Sequence, residues 1–253
     1  MSEIKLLLST LTVKPHVIAI TEVKYKNNRS FSVSELSLDG FDLYSNDLEK
    51  NQRGVLIYVN SSLRSSLVNI DTNFNENLFI RINDEIIIGN IYRSPSSKAE
   101  NDEELCKLIH YISNEYTHFI LVGDFNFSDI HWDSWTAMHN NPSSLNVLNT
   151  LQDNFLLQYD VDIPTRGRGL GVPRILDLVI SKAEIVTSLE YLAPLGKSDH
   201  TVIIVNTNLQ EDKGAFVPRQ NYDKGQYEEL RQFLQLDWDS LFSSHRNNVE
   251  YIK

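Results

Sequence analysis

The sequence predicts one layered α/β domain with mixed sheets, and three observations support this fold class. The chain has 253 residues, of which 41% are hydrophobic, which is enough to bury one sizeable core. Most of its apolar runs have the length and the β-branched content of buried strands. Helical patterns separate some of these runs and short turns join others. Such an order is neither a pure βαβ repeat nor all-β.

The first half of the chain predicts one helix followed by strands. Ile4, Leu7, Leu8 and Leu11 recur at helical spacing, and Pro15 ends that helix. The next segments predict strands, the last two of them joined by a turn at residues 83–84: VIAIT, GVLIYVN, NLFIRI and EIIIGNIYR.

The second half predicts helices that alternate with strands. Asn101 and Asp102 are candidate caps of a helix whose apolar face includes Leu105 and Ile109, and this helix leads into the strand FILVGD. A second helix is predicted around residues 145–151. The later predicted segments are LLQYDV, a glycine-rich turn at 167–171, RILDLVIS, a polar break, and TVIIVNTN.

The composition of the chain predicts a domain boundary and a cellular compartment. We predict a catalytic-size domain over residues 1–209, and over 210–253 a polar linker followed by an amphipathic helix. A single cysteine, Cys106, excludes an internal disulfide framework and favours a reducing, intracellular compartment. No apolar run approaches the roughly 20 residues of a membrane span, so we expect no membrane partner.

Polar side chains follow several of the predicted strands where an apolar run ends. Asp124 and Asn126 lie in the Gly-Asp-Phe-Asn corner after FILV. The others are Glu22, Tyr92, Asp177, Asp199 and His200. Each motif alone has a structural explanation, since Gly, Asp and Asn favour turns and a strand-end Glu is usually on the surface. Their conjunction at strand ends favours a metal-assisted phosphodiester hydrolase.

That chemistry needs a hard cation, a group that activates water, and donors for the phosphoryl oxygens. Glu22 suits a Mg²⁺ ligand, and Asp199 could join the metal or its water shell. Asp124 could accept a proton from the attacking water. The remaining predicted roles are water or phosphate binding by Asn126, phosphate contact by His200 oriented by Asp177, and hydroxyl donation to the phosphate by Tyr92.

Charge gives mixed evidence on the substrate. The net charge of −11 argues mildly against a nucleic-acid partner, because phosphate backbones favour clustered Lys and Arg. However, Arg166, Arg168 and Arg174 cluster just before the Asp177 strand. On charge patterning alone, this cluster is equally consistent with a solvated loop and with a substrate-contacting surface.

The chain resembles the endonuclease/exonuclease/phosphatase superfamily, and within it the endonuclease domains of non-LTR, jockey-like retrotransposons. The resemblance spans about residues 1–208. It is carried by the phrases AITE, GVLIYV, IYRSP, LVGDFNF, PTRGRG, ILDLVI and SDH. It implies a DNase I-like, four-layered α/β sandwich of two mixed sheets flanked by helices, and Mg²⁺-dependent nicking of DNA, although Mn²⁺ would also accept these oxygen ligands.

The resemblance also implies roles for individual residues. Glu22 and Asp199 are expected to bind the metal. The expected catalytic residues are Tyr92, Asp124, Asn126, Asp177, Asp199 and His200, and the expected substrate contacts are Arg93, Thr165, Arg166 and Ser198. The segment after Gln210 is similar to the connector to a reverse transcriptase, which would be a partner domain in a full-length element. A DNA substrate would place the protein in the nucleus.

One departure from the family's pattern concerns its first strand. In the family, a strand that ends in an asparagine precedes the first helix, whereas Met1–Leu11 matches the helix itself. We therefore expect a sandwich that lacks this strand and has lower activity than a complete homologue. The alternatives are an inactive domesticated relic or binding scaffold, a phosphatase or phosphodiesterase of the same fold, and an apurinic-site repair nuclease.

Overall fold

The computed structural model describes residues 2–23, 33–46, 54–159, 162–167, 173–182 and 185–208. The helices are α1 (Ser2–Thr10), α2 (Val33–Leu36), α3 (Ala99–Glu115) and α4 (Pro142–Asp153). The strands are β1 (Val17–Val23), β2 (Phe41–Ser45), β3 (Gly54–Asn60), β4 (Ser65–Val68), β5 (Asn77–Ile82), β6 (Ile86–Tyr92), β7 (Phe119–Asp124), β8 (Ile130–His131), β9 (Thr136–Ala137), β10 (Leu157–Gln158), β11 (Asp177–Ser181), β12 (Val186–Leu192) and β13 (Val202–Thr207).

A six-stranded mixed sheet forms the centre of the fold, in the order β10-β11-β7-β6-β5-β4. Strands β6 and β7 are parallel, and the other neighbours are antiparallel. Tyr92 and Asp177 are each in register with Asp124, one from either side. One end of the sheet therefore brings together the last residues of β6 and β7 and the first residue of β11.

Three hydrophobic clusters divide the fold into four layers. The first joins α3 and α4 to one face of the six-stranded sheet, through residues such as Leu105 and Leu151. The second joins the opposite face to β3, β12 and β13. The third joins β1 and β3 to α1, where Ile4 and Leu8 are half-buried. This order of helix, sheet, sheet and helix confirms the predicted four-layered α/β sandwich.

The second sheet layer consists of two separate pieces. Strands β1, β3 and β2 form an antiparallel sheet in the order β1-β3-β2, and β12 and β13 form an antiparallel pair. Val17 of β1 and Ile203 of β13 pack against the same hydrophobic cluster. Within the described ranges, no strand pairs with the second edge of β1 or of β13. Each of the two pieces therefore has an open edge among the described strands.

Some local predictions were wrong. Helix α3 begins at Ala99 with Lys98 as its N-cap, and no side chain caps it. Asp102, a predicted cap, is instead 2% exposed and forms an ion pair. The segment predicted as a polar break contains β12, whose Glu190 and Ser188 are exposed. The sequence did not reveal β12 because alternating polar residues weaken the apolar run.

The chain divides into units over residues 1–210 and 211–253. The second unit, with the predicted amphipathic helix, lies outside the described residues and stays a prediction. Among the described helices, none has the length and apolar content needed to cross a bilayer.

Candidate active site

The Gly-Asp-Phe-Asn corner places a buried carboxylate at the end of strand β7. Asp124 is the last residue of β7 and is 1% exposed. Gly123 before it has φ 135°, and a Cβ at this position would overlap the main-chain carbonyl of Ile91. Only glycine lets β6 and β7 approach closely in this conformation. The corner therefore fixes the position of Asp124 through the backbone.

Asp177 and His200 form a hydrogen-bonded pair beside Asp124. The Nδ1 atom of His200 lies 2.8 Å from Oδ2 of Asp177. Its Nε2 atom lies 4.0 Å from Oδ2 of Asp124 and 3.9 Å from Oδ1 of Asp199. Burial alone would lower the pKa of His200, but the hydrogen bond to Asp177 and the three carboxylates raise it overall. These contacts therefore favour the charged form of the imidazole over the neutral form.

Arg166 and Asp199 form an ion pair at the rim of the site. The Nε atom of Arg166 donates to Oδ2 of Asp199 at 2.7 Å, and both side chains are partly exposed. This hydrogen bond holds the pKa of Asp199 below its ordinary value. Arg166 also forms a β-bridge with His200, so the backbone places the guanidinium beside the imidazole.

Glu22 reaches the site through an irregularity in β1. Its φ is 55°, which is the left-handed region, and the β1–β3 register shifts between Ile20 and Val23. The hydroxyl of Tyr92 donates to Oε1 of Glu22 at 2.8 Å. Tyr92 is fully buried and does not line the pocket. This placement differs from the predicted donation to a substrate phosphate, because the hydroxyl is already engaged by the carboxylate.

Arg93 supports the corner instead of facing the pocket. Its guanidinium binds Asp102 in a bidentate manner, at 2.7 and 2.9 Å, and donates to the carbonyl of Asn126 at 3.0 Å. It also stacks over the ring of Phe127, 4.0 Å from the centroid. Arg93 is 7% exposed, so the predicted substrate contact does not fit its position. The carboxamide of Asn126 in turn donates to the carbonyl of Arg93 at 2.9 Å.

The hydroxyls of Thr165 and Ser198 also accept hydrogen bonds from main-chain amides. Thr165 is fully buried, and its hydroxyl accepts from the amides of Leu176 and Asp177, both at 3.0 Å. It therefore fixes the start of β11 and does not face solvent, unlike the predicted substrate contact. Ser198 is exposed and accepts from the amide of His200 at 3.1 Å. Both residues thus help to place the Asp177–His200 pair.

A pocket of about 260 Å³ collects the remaining predicted residues. It is lined by Glu22, Pro95, Asp124, Asn126, Arg166, Asp199 and His200. Sequence analysis gave Pro95 no role, although the Arg-Ser-Pro turn in which it lies was part of the resemblance. The second, larger cavity, of about 340 Å³ beside Asn75 and Lys98, contains none of the predicted site residues.

The site has the donor atoms and the charge to bind a divalent cation. Asp124, Asp177 and His200 bring ligand atoms within 4.8 Å of one another. Among the described residues, Oδ1 of Asp124 is buried without a hydrogen-bond partner. Burial and then the charge of Asp177 raise the pKa of Asp124 to about 7. An unpartnered oxygen and an excess of carboxylates are what a bound cation would relieve, so these residues fit a metal.

Comparison with known proteins agrees with this geometry. The family described as "Endonuclease-reverse transcriptase" (Exo_endo_phos_2) matches residues 86–204, which include β6, β7, β11 and the Ser-Asp-His loop. The matched segment is 119 of the 253 residues, and it is similar to the endonuclease/exonuclease/phosphatase superfamily. A search of curated protein sequences finds no match.

Several solved structures share the fold of this chain. The 3′-5′ exonuclease NExo from Neisseria meningitidis has a TM-score of 0.65 at 15% identity, over 82% of this chain and 94% of that chain. The 3′ phosphatase NExo from Neisseria, bound to a product DNA hairpin, has a TM-score of 0.63 at 15% identity, with the same coverage. The endonuclease domain of TRAS1, a telomere-specific non-LTR retrotransposon, has a TM-score of 0.57 at 14% identity, over 78% and 87%.

Proposed function

We propose that this protein is a divalent-metal-dependent DNA endonuclease of retrotransposon type. The observation that carries the proposal is the Asp177–His200 pair facing the buried Asp124, whose Oδ1 atom has no hydrogen-bond partner among the described residues. The TRAS1 domain supports the retrotransposon branch, as do the family description and its match to residues 86–204. The reverse transcriptase that such an element would carry, and nuclear DNA as target, are parts of the same proposal.

Glu22 and Asp199 would hold the metal, and Asp124 lies in the same pocket. All three line the pocket. Carboxylate oxygens are the ligands that Mg²⁺ prefers, so Mg²⁺ is the proposed cofactor and Mn²⁺ an acceptable substitute. When bound, the cation would neutralise charge on the phosphate oxygens.

The protein's own groups would carry the proton and orient the phosphate. Asp124, the buried last residue of β7, would accept a proton from the attacking water. Asn126 lies two residues on in the same corner and would position that water. The imidazole of His200, held by Asp177, would donate to a phosphoryl oxygen. Arg166 at the rim would contact the phosphate backbone.

A second candidate is removal of a 3′-terminal phosphate or nucleotide. The small volume of the pocket, about 260 Å³, suits a single phosphate group. The two NExo structures, a 3′ phosphatase and a 3′-5′ exonuclease, also have higher TM-scores than TRAS1. An inactive scaffold is the third candidate.

Three DNA substrates separate these candidates. The purified chain, with Mg²⁺ or Mn²⁺, is given a closed circular plasmid, a duplex with 3′-hydroxyl ends and a hairpin with a 3′-phosphate. Nicking of the circle supports the endonuclease, because a circle has no ends. Release of nucleotides or phosphate from the linear substrates alone would support the second candidate. Wild-type protein that leaves all three intact, as His200→Ala does, would support the scaffold.

A further inference from the structure

One buried asparagine links the central sheet to the irregularity that carries Glu22. Asn90 lies in β6 and is fully buried. Its Nδ2 group donates to the carbonyls of Ile20 and Leu56, both at 3.0 Å. Ile20 and Leu56 are register partners in the β1–β3 ladder. A single carboxamide therefore binds both strands of the second layer at one point.

That point is the base of a β-bulge. Ile20 pairs with Leu56, and Val23 pairs with Gly54, so Thr21 and Glu22 together oppose one residue of β3. A bulge re-aims the side chains of its strand. Here it accompanies the left-handed φ of Glu22, 55°, which is uncommon for a residue other than glycine. Such a conformation persists only where surrounding contacts hold it.

Strand β6 holds the bulge at two places. Asn90 and Tyr92 are two residues apart, so they lie on the same face of the strand. Asn90 binds the carbonyl of Ile20 at the base of the bulge, and Tyr92 binds the carboxylate of Glu22 at 2.8 Å. Tyr92 is also in register with Asp124 of β7. Strand β6 thereby sets the position of Glu22 relative to Asp124.

Stability alone is a poor explanation for this side chain. Ile88 and Tyr92, on the same face of β6, belong to or pack against an apolar cluster. Among the described residues, Oδ1 of Asn90 has no hydrogen-bond partner. A buried polar atom without a partner costs about 1–3 kcal/mol. An aliphatic residue would avoid that cost but could not bind the two carbonyls.

We propose that Asn90 is a positioning residue that fixes the bulge at Thr21–Glu22 and thereby directs Glu22 toward the metal. The inference rests on the proposed function, because it assigns Glu22 to the metal. It makes no claim about the DNA substrate. Its consequence is that loss of the carboxamide weakens metal binding only through Glu22.

The test measures Mn²⁺ affinity by electron paramagnetic resonance, without any substrate. Asn90→Leu keeps the branched shape and the number of side-chain heavy atoms but removes both donors. We expect it to weaken Mn²⁺ binding about 10-fold, within the range for residues that orient metal ligands. The matched control is Ser181→Ala, which removes a buried hydroxyl that donates to the carbonyl of Phe119 at 2.8 Å, at the far end of β11. The control should bind Mn²⁺ as the wild type does.

A double-mutant comparison separates positioning from general damage. In a Glu22→Gln background, Asn90→Leu should weaken Mn²⁺ binding no further, because the two changes act on one ligand. If Asn90→Leu does not fold, Asn90→Ser allows the same comparison with a smaller polar side chain. Three outcomes would overturn the inference. They are an unchanged Mn²⁺ affinity in Asn90→Leu, an equal further loss of affinity in the Glu22→Gln background, and a wild type that binds no Mn²⁺.

Plasmid nicking by the wild type is measured separately. A protein that binds Mn²⁺ and shows the expected dependence on Asn90, yet does not cut DNA, would reject the proposed nuclease function and support the inference. If the protein cuts DNA but Asn90→Leu leaves its Mn²⁺ affinity unchanged, the nuclease function is supported and the role of Asn90 is rejected.

Discussion

At the scale of single residues, Asp124 combines deep burial with a neighbouring carboxylate. It is 1% exposed, and burial together with the charge of Asp177 raises its pKa to about 7. The unfolded chain ionises this group near pH 3.9. Between these two values the folded protein binds more protons at Asp124 than the unfolded chain does. The stability of the metal-free protein therefore falls as pH rises through this window.

The variant Asp124→Asn tests this linkage. It removes the buried charge, so it should stabilise the metal-free protein, and the gain should be larger at pH 8 than at pH 5 by roughly 1–3 kcal/mol. Urea unfolding in EDTA at the two pH values measures the difference. A gain that is equal at both, or larger at pH 5, would contradict the raised pKa of Asp124.

Arg93 is a second residue with a specific structural role, because its ion pair with Asp102 is buried. Removing one partner of a buried pair leaves a charge without compensation and typically costs 3–5 kcal/mol. Arg93→Met should therefore lower the free energy of unfolding by about that amount. Arg64 is the control, since its ion pair with Asp84 is exposed at 72% and 65% and Arg64→Met should cost less than about 1 kcal/mol. Similar losses in the two variants would show that the Arg93 pair is not buried in solution.

At the scale of secondary structure, the close contact of β6 with β7 sets the geometry of the site. The parallel pairing puts Tyr92 beside Asp124, and the antiparallel pairing with β11 puts Asp177 on the other side. Gly123 makes this contact possible, because its Cα lies against the carbonyl of Ile91. The strand order thus brings together residues that are far apart in the sequence.

Gly123→Ala should therefore damage the site through the backbone. The added methyl group would overlap the carbonyl of Ile91, and φ 135° is unfavourable for alanine, so we expect a loss of more than about 3 kcal/mol. Gly40→Ala is the matched control. Gly40 also has a positive φ, 81°, but a Cβ added there would meet open space. Gly40→Ala should therefore lower the free energy of unfolding by only about 1 kcal/mol. If urea unfolding shows that the two variants lose equal free energy of unfolding, the close contact between β6 and β7 is contradicted.

Sequence reasoning predicted the strands of the central sheet other than β4, and most of the residues that line the pocket, because their signals are local. An apolar run that ends in Asp124 or Tyr92 can be seen directly in the sequence. The roles of Arg93 and Thr165 could not be predicted, because their buried partners come from other elements. The bulge at Glu22 was also missed, since its register depends on β3 and on Asn90 of β6. Strands β2 and β12 were missed because their alternating polar residues resemble loops.

At the scale of the whole molecule, the second sheet layer is divided while the site stays assembled. The described part of β1 brings Glu22 to the pocket, and the loop before β13 brings Asp199 and His200. The net charge of −11 makes nonspecific attraction to DNA weak, so the approach of a phosphate depends on local groups such as Arg166. Binding should accordingly weaken only shallowly as salt concentration rises, because each neutralised phosphate adds only about −0.9 to the slope of log K against log salt.

The nicking of supercoiled plasmid tests the proposed function most directly. The wild type is compared with Asp124→Ala and with the control Asp133→Ala, an exposed carboxylate outside the pocket, each in Mg²⁺ and in EDTA. We predict relaxed circles from the wild type and the control in Mg²⁺ only, and at least about 100-fold slower nicking by Asp124→Ala. Folded wild-type protein that does not nick, or nicking that persists in EDTA or in Asp124→Ala, would contradict the assignment of this site as a metal-dependent endonuclease.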